Sequence, residues 1–314
     1  NDAADDNTAD FTAGGLISLT AQDEIGVLGS GSDLDLEFAT GSSVNVSTTG
    51  TGAIDLDGLG ALTLSDVDTV NGAITASSAG ALTVTDVASG TNGNIVLSTS
   101  SGDITGLATV NAGSGNVTLN SAGAIVDDGS SGTVITGGVL TADAAGAITI
   151  DSTVTSANIS TSAAGAVDLD ESDAITLTDV DTNDGSITVD AGGLITATDV
   201  VASGGSGDSV TLSTTTGGAV ATLVTGADAV SITANAGDIT IGSVTATAGT
   251  LGVTATAGSI NDAADDNTAD FTAGGLITLT AQDEVGVLGS GSDLDLEFAA
   301  GSSVNVSTTG TGSA

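Results

Sequence analysis

The feature that most constrains this chain is a short strand pattern that recurs about every 22 residues, behind a glycine. Nine of ten strand starts have Gly two positions earlier, and only Ile175 lacks it. A glycine at one fixed offset indicates either a turn with positive φ or a close approach of two backbones. The ten starts are Leu62, Leu82, Ile104, Ile125, Ile148, Ile175, Ile195, Val220, Ile239 and Ile260.

A second series of strands lies about half a coil later. Its members begin at Ile74, Ile95, Val117, Leu140, Ile159, Ile187, Val210, Ile232 and Val253, and an extra short strand at 167–170 falls in the longest step. Strands such as Leu82-Thr83-Val84-Thr85 alternate, which predicts that Leu82 and Val84 point inward and the threonines outward.

A single coil cannot bury its apolar face, so coils must stack. We therefore predict an all-β fold, a parallel β-solenoid of about 21 residues per coil. The general crossover rule favours a right-handed path.

The amino-acid composition predicts which side chains form the core of this solenoid, and it argues against several functions. The chain is 39% hydrophobic with four Phe and no Trp, Tyr or Met, which predicts a thin aliphatic core. It carries 40 acidic residues and no Lys, Arg, His or Cys. Without those groups we expect no enzyme and no required cofactor. A net charge of −40 argues against nucleic acid as a partner, and no apolar run is long enough to predict membrane insertion.

A much longer repeat overlies the coils. Residues 1–54 recur at 261–314 with five differences. We interpret 1–260 as one complete solenoid unit and 261–314 as the start of the next, near-identical unit continuing the same solenoid. The expected partner is therefore the protein itself, end to end within a longer array or filament.

The densest acidic strand offers a candidate metal site. Alternation predicts that Asp33, Asp35 and Glu37 share one exposed face, where their carboxylates suit Ca²⁺. The other interpretation, which we favour, is a solvated acidic face.

A second set of carboxylates recurs at the ends of long strands, at Asp66, Asp86, Asp179 and Asp199. If neighbouring coils are in register, Asp66 lies near Asp86 and Asp179 near Asp199, which bridging cations would relieve. The alternative is that each aspartate is a turn residue that bonds its own backbone.

Outward threonine pairs, such as Thr83/Thr85 and Thr176/Thr178, suggest a flat ice-binding face, although Thr is also the ordinary exposed strand residue. A specific ligand surface is expected on the irregular loops 1–15 or 29–31.

Coils of the Gly-x-Ile-Thr-Leu type and the stretch Leu16-Ile17-Ser18-Leu19-Thr20-Ala21-Gln22-Asp23-Glu24-Ile25-Gly26 resemble filamentous-haemagglutinin-like repeats. The resemblance implies a right-handed β-helical segment of a large secreted bacterial adhesin or exoprotein, at the cell surface. The function we expect is structural: a segment of a giant extracellular tandem-repeat protein that forms a fibre, stalk or coat with an adhesive role. The alternatives are a Thr-rich ice-binding solenoid and a Ca²⁺-stiffened adhesin that binds a surface ligand.

Overall fold

A computed structural model describes residues 8–28, 33–39, 41–130, 132, 134–264, 268–286 and 293–312. These ranges are all-β and contain no helix, and so none that could cross a membrane. Their strands are β1 (Phe11–Ala13), β2 (Ile17–Ala21), β3 (Leu34–Phe38), β4 (Val44–Thr48), β5 (Ile54–Gly58), β6 (Leu62–Thr69), β7 (Ile74–Ser78), β8 (Leu82–Val84), β9 (Asp86–Ala88), β10 (Ile95–Thr99), β11 (Ile104–Leu107), β12 (Thr109–Asn111), β13 (Val117–Ser121), β14 (Ile125–Asp127), β15 (Ile135–Ala144), β16 (Ile148–Ala164), β17 (Val167–Glu171), β18 (Ile175–Asp184), β19 (Ile187–Ala191), β20 (Ile195–Ala197), β21 (Val200–Ala202), β22 (Val210–Thr214), β23 (Ala219–Gly226), β24 (Val230–Ala234), β25 (Ile239–Ala246), β26 (Leu251–Ala255), β27 (Ile260–Asp262), β28 (Phe271–Ala273), β29 (Ile277–Ala281), β30 (Leu296–Phe298) and β31 (Val304–Thr308).

The strands stack in parallel as a β-solenoid, which confirms the predicted fold class. The turns number about 13 and lie roughly 21 residues apart. The chain divides into two compact units, 1–154 and 155–314. In both units a typical turn consists of one five-residue strand followed by either one longer strand or two shorter ones. The five-residue strands of successive turns stack as the short-strand column, and the others stack as the long-strand column.

In the first unit, the short-strand column places like residues above one another. Ile54 pairs with Ile74, Ile74 with Ile95 and Ile95 with Val117, in strands β5, β7, β10 and β13. The long-strand column runs through β6, β8–β9, β11–β12 and β14. Strands β2 and β4 of the repeated segment lead into this long-strand column, because Val46 of β4 pairs with Val67 of β6.

In the second unit, the short-strand column is β17, β19, β22, β24, β26, β29 and β31. The second copy of the repeated segment contributes its last two members. Ile277 pairs with Leu251, and Val304 pairs with Ile277. The same sequence therefore extends a long-strand column in one unit and a short-strand column in the other.

The core of each unit is mainly aliphatic, as predicted, and its side chains stack in files that run through both strand columns. Leu82, Val84 and Leu177 have no exposed surface, and the threonines between them point outward. Phe271 is the one aromatic side chain in the buried set of the described residues. Full burial of each aliphatic side chain contributes about 1.5–3 kcal/mol, so stability accumulates turn by turn.

Glycine is needed at the turns before the strands mainly because the backbones of stacked turns approach each other closely there. We call these glycines the corner glycines. Of the nine predicted glycines only Gly102 and Gly237 have positive φ. At Gly80 and Gly193, an added Cβ would lie within 2.8 Å of a backbone nitrogen on the neighbouring turn. The second series of strands has its own glycine stack, which sequence reasoning missed: a Cβ on Gly72 would collide with the carbonyl oxygen of Gly52.

Two details of the predicted strand pattern were wrong. Val220 is not an inward strand start, because Ala219 pairs with Ile195 and is 2% exposed. Gly217 lies two positions before Ala219. Counting from the adjacent Gly218 shifted the predicted strand start by one residue. The segment at 167–170 is not an insertion either: β17 is a regular member of the short-strand column, whereas Ile159, predicted to begin that strand, pairs with Val180 in the long-strand column.

We predict that Gly72→Ala destabilises the chain and that Gly60→Ala does not. Both glycines have an ordinary φ, but a Cβ on Gly60 meets nothing within 4 Å. In Gly72→Ala, the extra methyl group is forced against the backbone of the preceding turn, which should lower the free energy of unfolding by about 1–3 kcal/mol. Urea unfolding of both variants measures this difference, and equal midpoints would show that the corner does not need close approach.

Candidate functional site: stacked aspartates and buried hydroxyls

The three predicted metal ligands do not share one exposed face. Glu37 is exposed and accepts a hydrogen bond from the Thr12 hydroxyl at 3.4 Å, but Asp35 is only 2% exposed. Leu34 and Leu36 are buried as the alternation predicts, and Asp35 between them is buried as well. The expectation that Asp35 lies on an exposed face with Asp33 and Glu37 was therefore wrong.

The aspartates at 66 and 86 do stack, as the register argument predicted. Val67 pairs with Val87 on the next turn, which places Asp66 beside Asp86. Asp68, two residues further along the same strand face, joins them. On the turn before, the Asn45 amide donates a hydrogen bond to the Asp66 carboxylate at 2.8 Å.

The second unit contains an equivalent cluster. Val180 pairs with Val200, which brings Asp179 beside Asp199, and Asp181 lies against both. One carboxylate oxygen of Asp199, Oδ1, is buried and has no hydrogen-bond partner among the residues that the structure describes. In the part of the chain that the structure describes, no group of three or more acidic side chains has the arrangement of a metal site.

These clusters hold protons more tightly than isolated carboxyl groups. Burial, together with a hydrogen bond and the charge of Asp66 and the charge of Asp86, raises the pKa of Asp68 to about 6. Burial and the charges of Asp179 and Asp199 raise the pKa of Asp181 to about 6. Burial is the largest cause of both shifts, and stacking adds to it, since each turn repeats a negative charge near that of its neighbour.

A third cluster lies in the second copy of the repeat. Asp270 is 4% exposed, and burial with the charges of Asp262 and Asp295 raises its pKa to about 7, against the lowering effect of the Asp295 backbone. The Asp295 N–H donates to the Asp270 carboxylate at 2.8 Å. Asp10, the same position in the first copy, is exposed.

The turn-residue interpretation does not hold for Asp66 and Asp179, which lie inside strands β6 and β18. Local bonds of that kind are made by Asp127 and Asp262, whose carboxylates accept the N–H groups of Gly129 and Ala264 at 2.9 Å. Asp103 and Asp238 instead link neighbouring turns, because their carboxylates accept the N–H groups of Ala124 and Ser259 at 2.8 Å.

Sequence reasoning missed a recurring buried hydroxyl at the end of strands. The side chain points into the core, and its hydroxyl donates a hydrogen bond to a carbonyl three or four residues later, in the turn. The acceptor is most often a glycine, as for Thr48 to Gly52, Thr69 to Gly72, Ser89 to Gly93, Thr99 to Gly102, Thr161 to Gly165, Thr182 to Gly185, Thr214 to Gly217 and Thr308 to Gly312. The sequence signal was a Ser or Thr three or four positions before a corner glycine.

The outward threonines form rows that are interrupted. Thr63, Thr83 and Thr105 stack on consecutive turns, but Val126 occupies the next place. In the second unit, Val220 interrupts the corresponding row between Thr196 and Thr240. Of the predicted ligand loops, residues 1–7 and 29–31 lie outside the described residues.

Comparison with known proteins adds no relative: no family model, curated protein or solved structure matches this chain.

We predict that Thr214→Val is destabilising, whereas Thr211→Val on the same strand is close to neutral. Thr214 is fully buried and its hydroxyl donates to Gly217 at 2.6 Å; Thr211 faces outward. Losing the hydroxyl leaves the turn carbonyl without this bond, at a cost of about 1–2 kcal/mol. Urea unfolding of the two valine variants makes the comparison. A Thr214→Val variant as stable as wild type would show that the hydroxyl has no role in closing the turn.

We also predict that acidification from pH 8 to pH 5 stabilises the chain. The folded pKa of Asp68 lies near 6 against an ordinary value of 3.8, so the folded state binds a proton that the unfolded state does not. This contribution is fully present below about pH 4 and is lost as pH rises through about 6.

The variant Asp68→Asn should be more stable than wild type at pH 8 and should gain less on acidification. Asp23→Asn, at an exposed position outside the paired strands, removes the same single charge and controls for the net charge of −40. Thermal melting at pH 8, 6.5 and 5 provides the measurement. Identical pH profiles for the two variants would contradict a specific effect of the stack.

Proposed function

We propose that this chain is a structural segment of a larger extracellular tandem-repeat protein that forms a fibre, stalk or coat at the cell surface. The observation that carries the proposal is the junction between repeat copies. In the second unit, Phe271 pairs with Val244 and Ile277 pairs with Leu251. In the residues that the structure describes, the strands of the second copy thus continue the ladder of the turns before it, and no helix or separate domain lies at residues 255–264.

The first copy supports the same proposal from the other side of the junction. Its strand β4 continues into β6, so the repeated segment is compatible with the turns that follow it as well as those that precede it. Parallel turns lie about 4.8 Å apart, so about 12 turns would give each 260-residue unit a length of roughly 58 Å.

The charge distribution suits such an assembly. Outward carboxylates repeat along the turns, and a net charge of −40 opposes side-by-side sticking of neighbouring solenoids. The resemblance to filamentous-haemagglutinin-like repeats supports the cell surface as its location and an adhesive role for the irregular loops. The interrupted threonine rows give the ice-binding alternative no added support.

Immunogold electron microscopy of the producing cells tests this proposal. Antibodies raised against the 314-residue chain should decorate thin, unbranched surface fibres with an axial repeat near 58 Å. Antibody that has been adsorbed with the same chain is the control. Label confined to the cell interior, or globular beads on flexible linkers, would overturn the proposal.

A further inference from the structure

The chain contains two Asn-Gly dipeptides, at 71–72 and 92–93, and the solenoid stacks one on the other. Each glycine lies two residues before a strand of the short-strand column, and those strands pair Ile74 with Ile95. Asparagine deamidates most readily before glycine, because glycine has no Cβ to hinder the approach of its nitrogen to the asparagine side chain. The two sites therefore share one intrinsic chemistry and differ in their surroundings.

The side chain of Asn71 is held by the turn that follows it. Its Oδ1 accepts a hydrogen bond from the Thr91 hydroxyl at 2.8 Å and another from the Asn92 N–H at 3.1 Å. Deamidation requires the side-chain carbon Cγ to meet the backbone nitrogen of the next residue. The two hydrogen bonds instead direct this side chain towards the neighbouring turn, so they must break before the reaction can begin.

The side chain of Asn92 is not held in this way. It is exposed, and it makes no hydrogen bond within the part of the chain that the structure describes. On the following turn, the hydroxyl and the N–H of Ser114 both donate to the Thr91 carbonyl, so neither is available to Asn92. The stacking that engages Asn71 thus leaves Asn92 able to rotate.

We propose that Asn92 is a site of spontaneous deamidation, and that the turn stacked on Asn71 protects Asn71 from the same reaction. The Gly93 nitrogen attacks Cγ of Asn92, a new C–N bond closes a succinimide ring, and Nδ2 leaves as ammonia with the proton of the Gly93 N–H. Water then opens the ring at either carbonyl and yields aspartate or isoaspartate. Among the described residues the Gly93 N–H makes no hydrogen bond, so no ladder bond has to break at this nitrogen.

The isoaspartate product would disturb the corner, because it inserts an extra carbon into the main chain between Asn92 and Gly93. The backbone there has little room: a Cβ on Gly93 would lie 2.2 Å from the Gly72 carbonyl oxygen, and the Ser89 hydroxyl donates to the Gly93 carbonyl. Either product also adds a negative charge to a chain that already carries −40. The inference does not depend on the proposed function, but in a tandem array each unit would carry one such site.

Incubation of the folded 314-residue chain at mildly alkaline pH tests the proposal. Peptide mass spectrometry after cleavage by an aspartate-specific protease follows the conversion of each asparagine with time. Asn92 should convert at least about tenfold faster than Asn71. A tenfold ratio corresponds to about 1.4 kcal/mol in activation free energy, which two hydrogen bonds of this kind can supply.

The unfolded chain and two variants at Thr91 are the controls. In concentrated urea, Asn71 and Asn92 should convert at nearly equal rates, because the stacked turn is gone. Thr91→Val removes the hydroxyl that holds Asn71, which should then convert about fivefold faster in the folded chain. Thr91→Ser keeps the hydroxyl and should leave Asn71 protected, and circular dichroism verifies that both variants are folded.

Three results would overturn the proposal. The first is equal conversion of Asn71 and Asn92 in the folded wild-type chain, and the second is conversion of neither. The third is a Thr91→Val variant in which Asn71 reacts no faster than in Thr91→Ser, since protection would then not come from the stacked turn. None of these results bears on whether the chain belongs to a surface fibre.

Discussion

The in-register parallel ladder between turns is the interaction on which the rest of this structure depends. It places each residue directly beside its counterpart roughly 21 residues later, so every favourable or unfavourable choice is repeated along the stack. Aliphatic side chains gain from this, as the Ile54, Ile74 and Ile95 file shows. Backbones at the corners come so close that only glycine fits at several positions. The solenoid is therefore specified by a few rules applied many times.

Two groups of polar residues show how the ladder sets the energetics of side chains. The buried Ser and Thr hydroxyls satisfy turn carbonyls that would otherwise be enclosed at the edge of the core. The stacked aspartates are the unfavourable counterpart: burial raises the pKa of Asp68 and Asp181, and the register that brings carboxylates together raises it further. Both effects follow from one geometry, and their energies have opposite signs.

The repeating features were predictable from the sequence, and the departures from the repeat were not. Period, alternation and corner glycines predicted the solenoid, the inward Leu82 and the neighbouring Asp66 and Asp86. The local sequence pattern failed to predict burial and strand start at two places. Asp35 is at an outward position by alternation yet is buried. Gly218 predicted that an inward strand begins at Val220, whereas it begins at Ala219. The buried hydroxyls escaped notice because Thr is also the commonest outward residue. Only the adjacent corner glycine distinguishes the two roles, since it supplies the carbonyl that the hydroxyl needs.

The two copies of the repeated segment act as an internal control on what a turn requires of its neighbours. The same strand sequence, Val44–Thr48 and Val304–Thr308, extends a long-strand column in one unit and a short-strand column in the other. A ladder made of backbone hydrogen bonds tolerates this exchange, because it depends on strand register and not on the length of the neighbouring strand. Burial follows from the same ladder, since Val44 is fully enclosed where β4 pairs with β2 on one side and β6 on the other. The backbone hydrogen bonds thus make the stacking of turns possible, and the aliphatic surface that each pair of neighbouring turns buries makes it favourable.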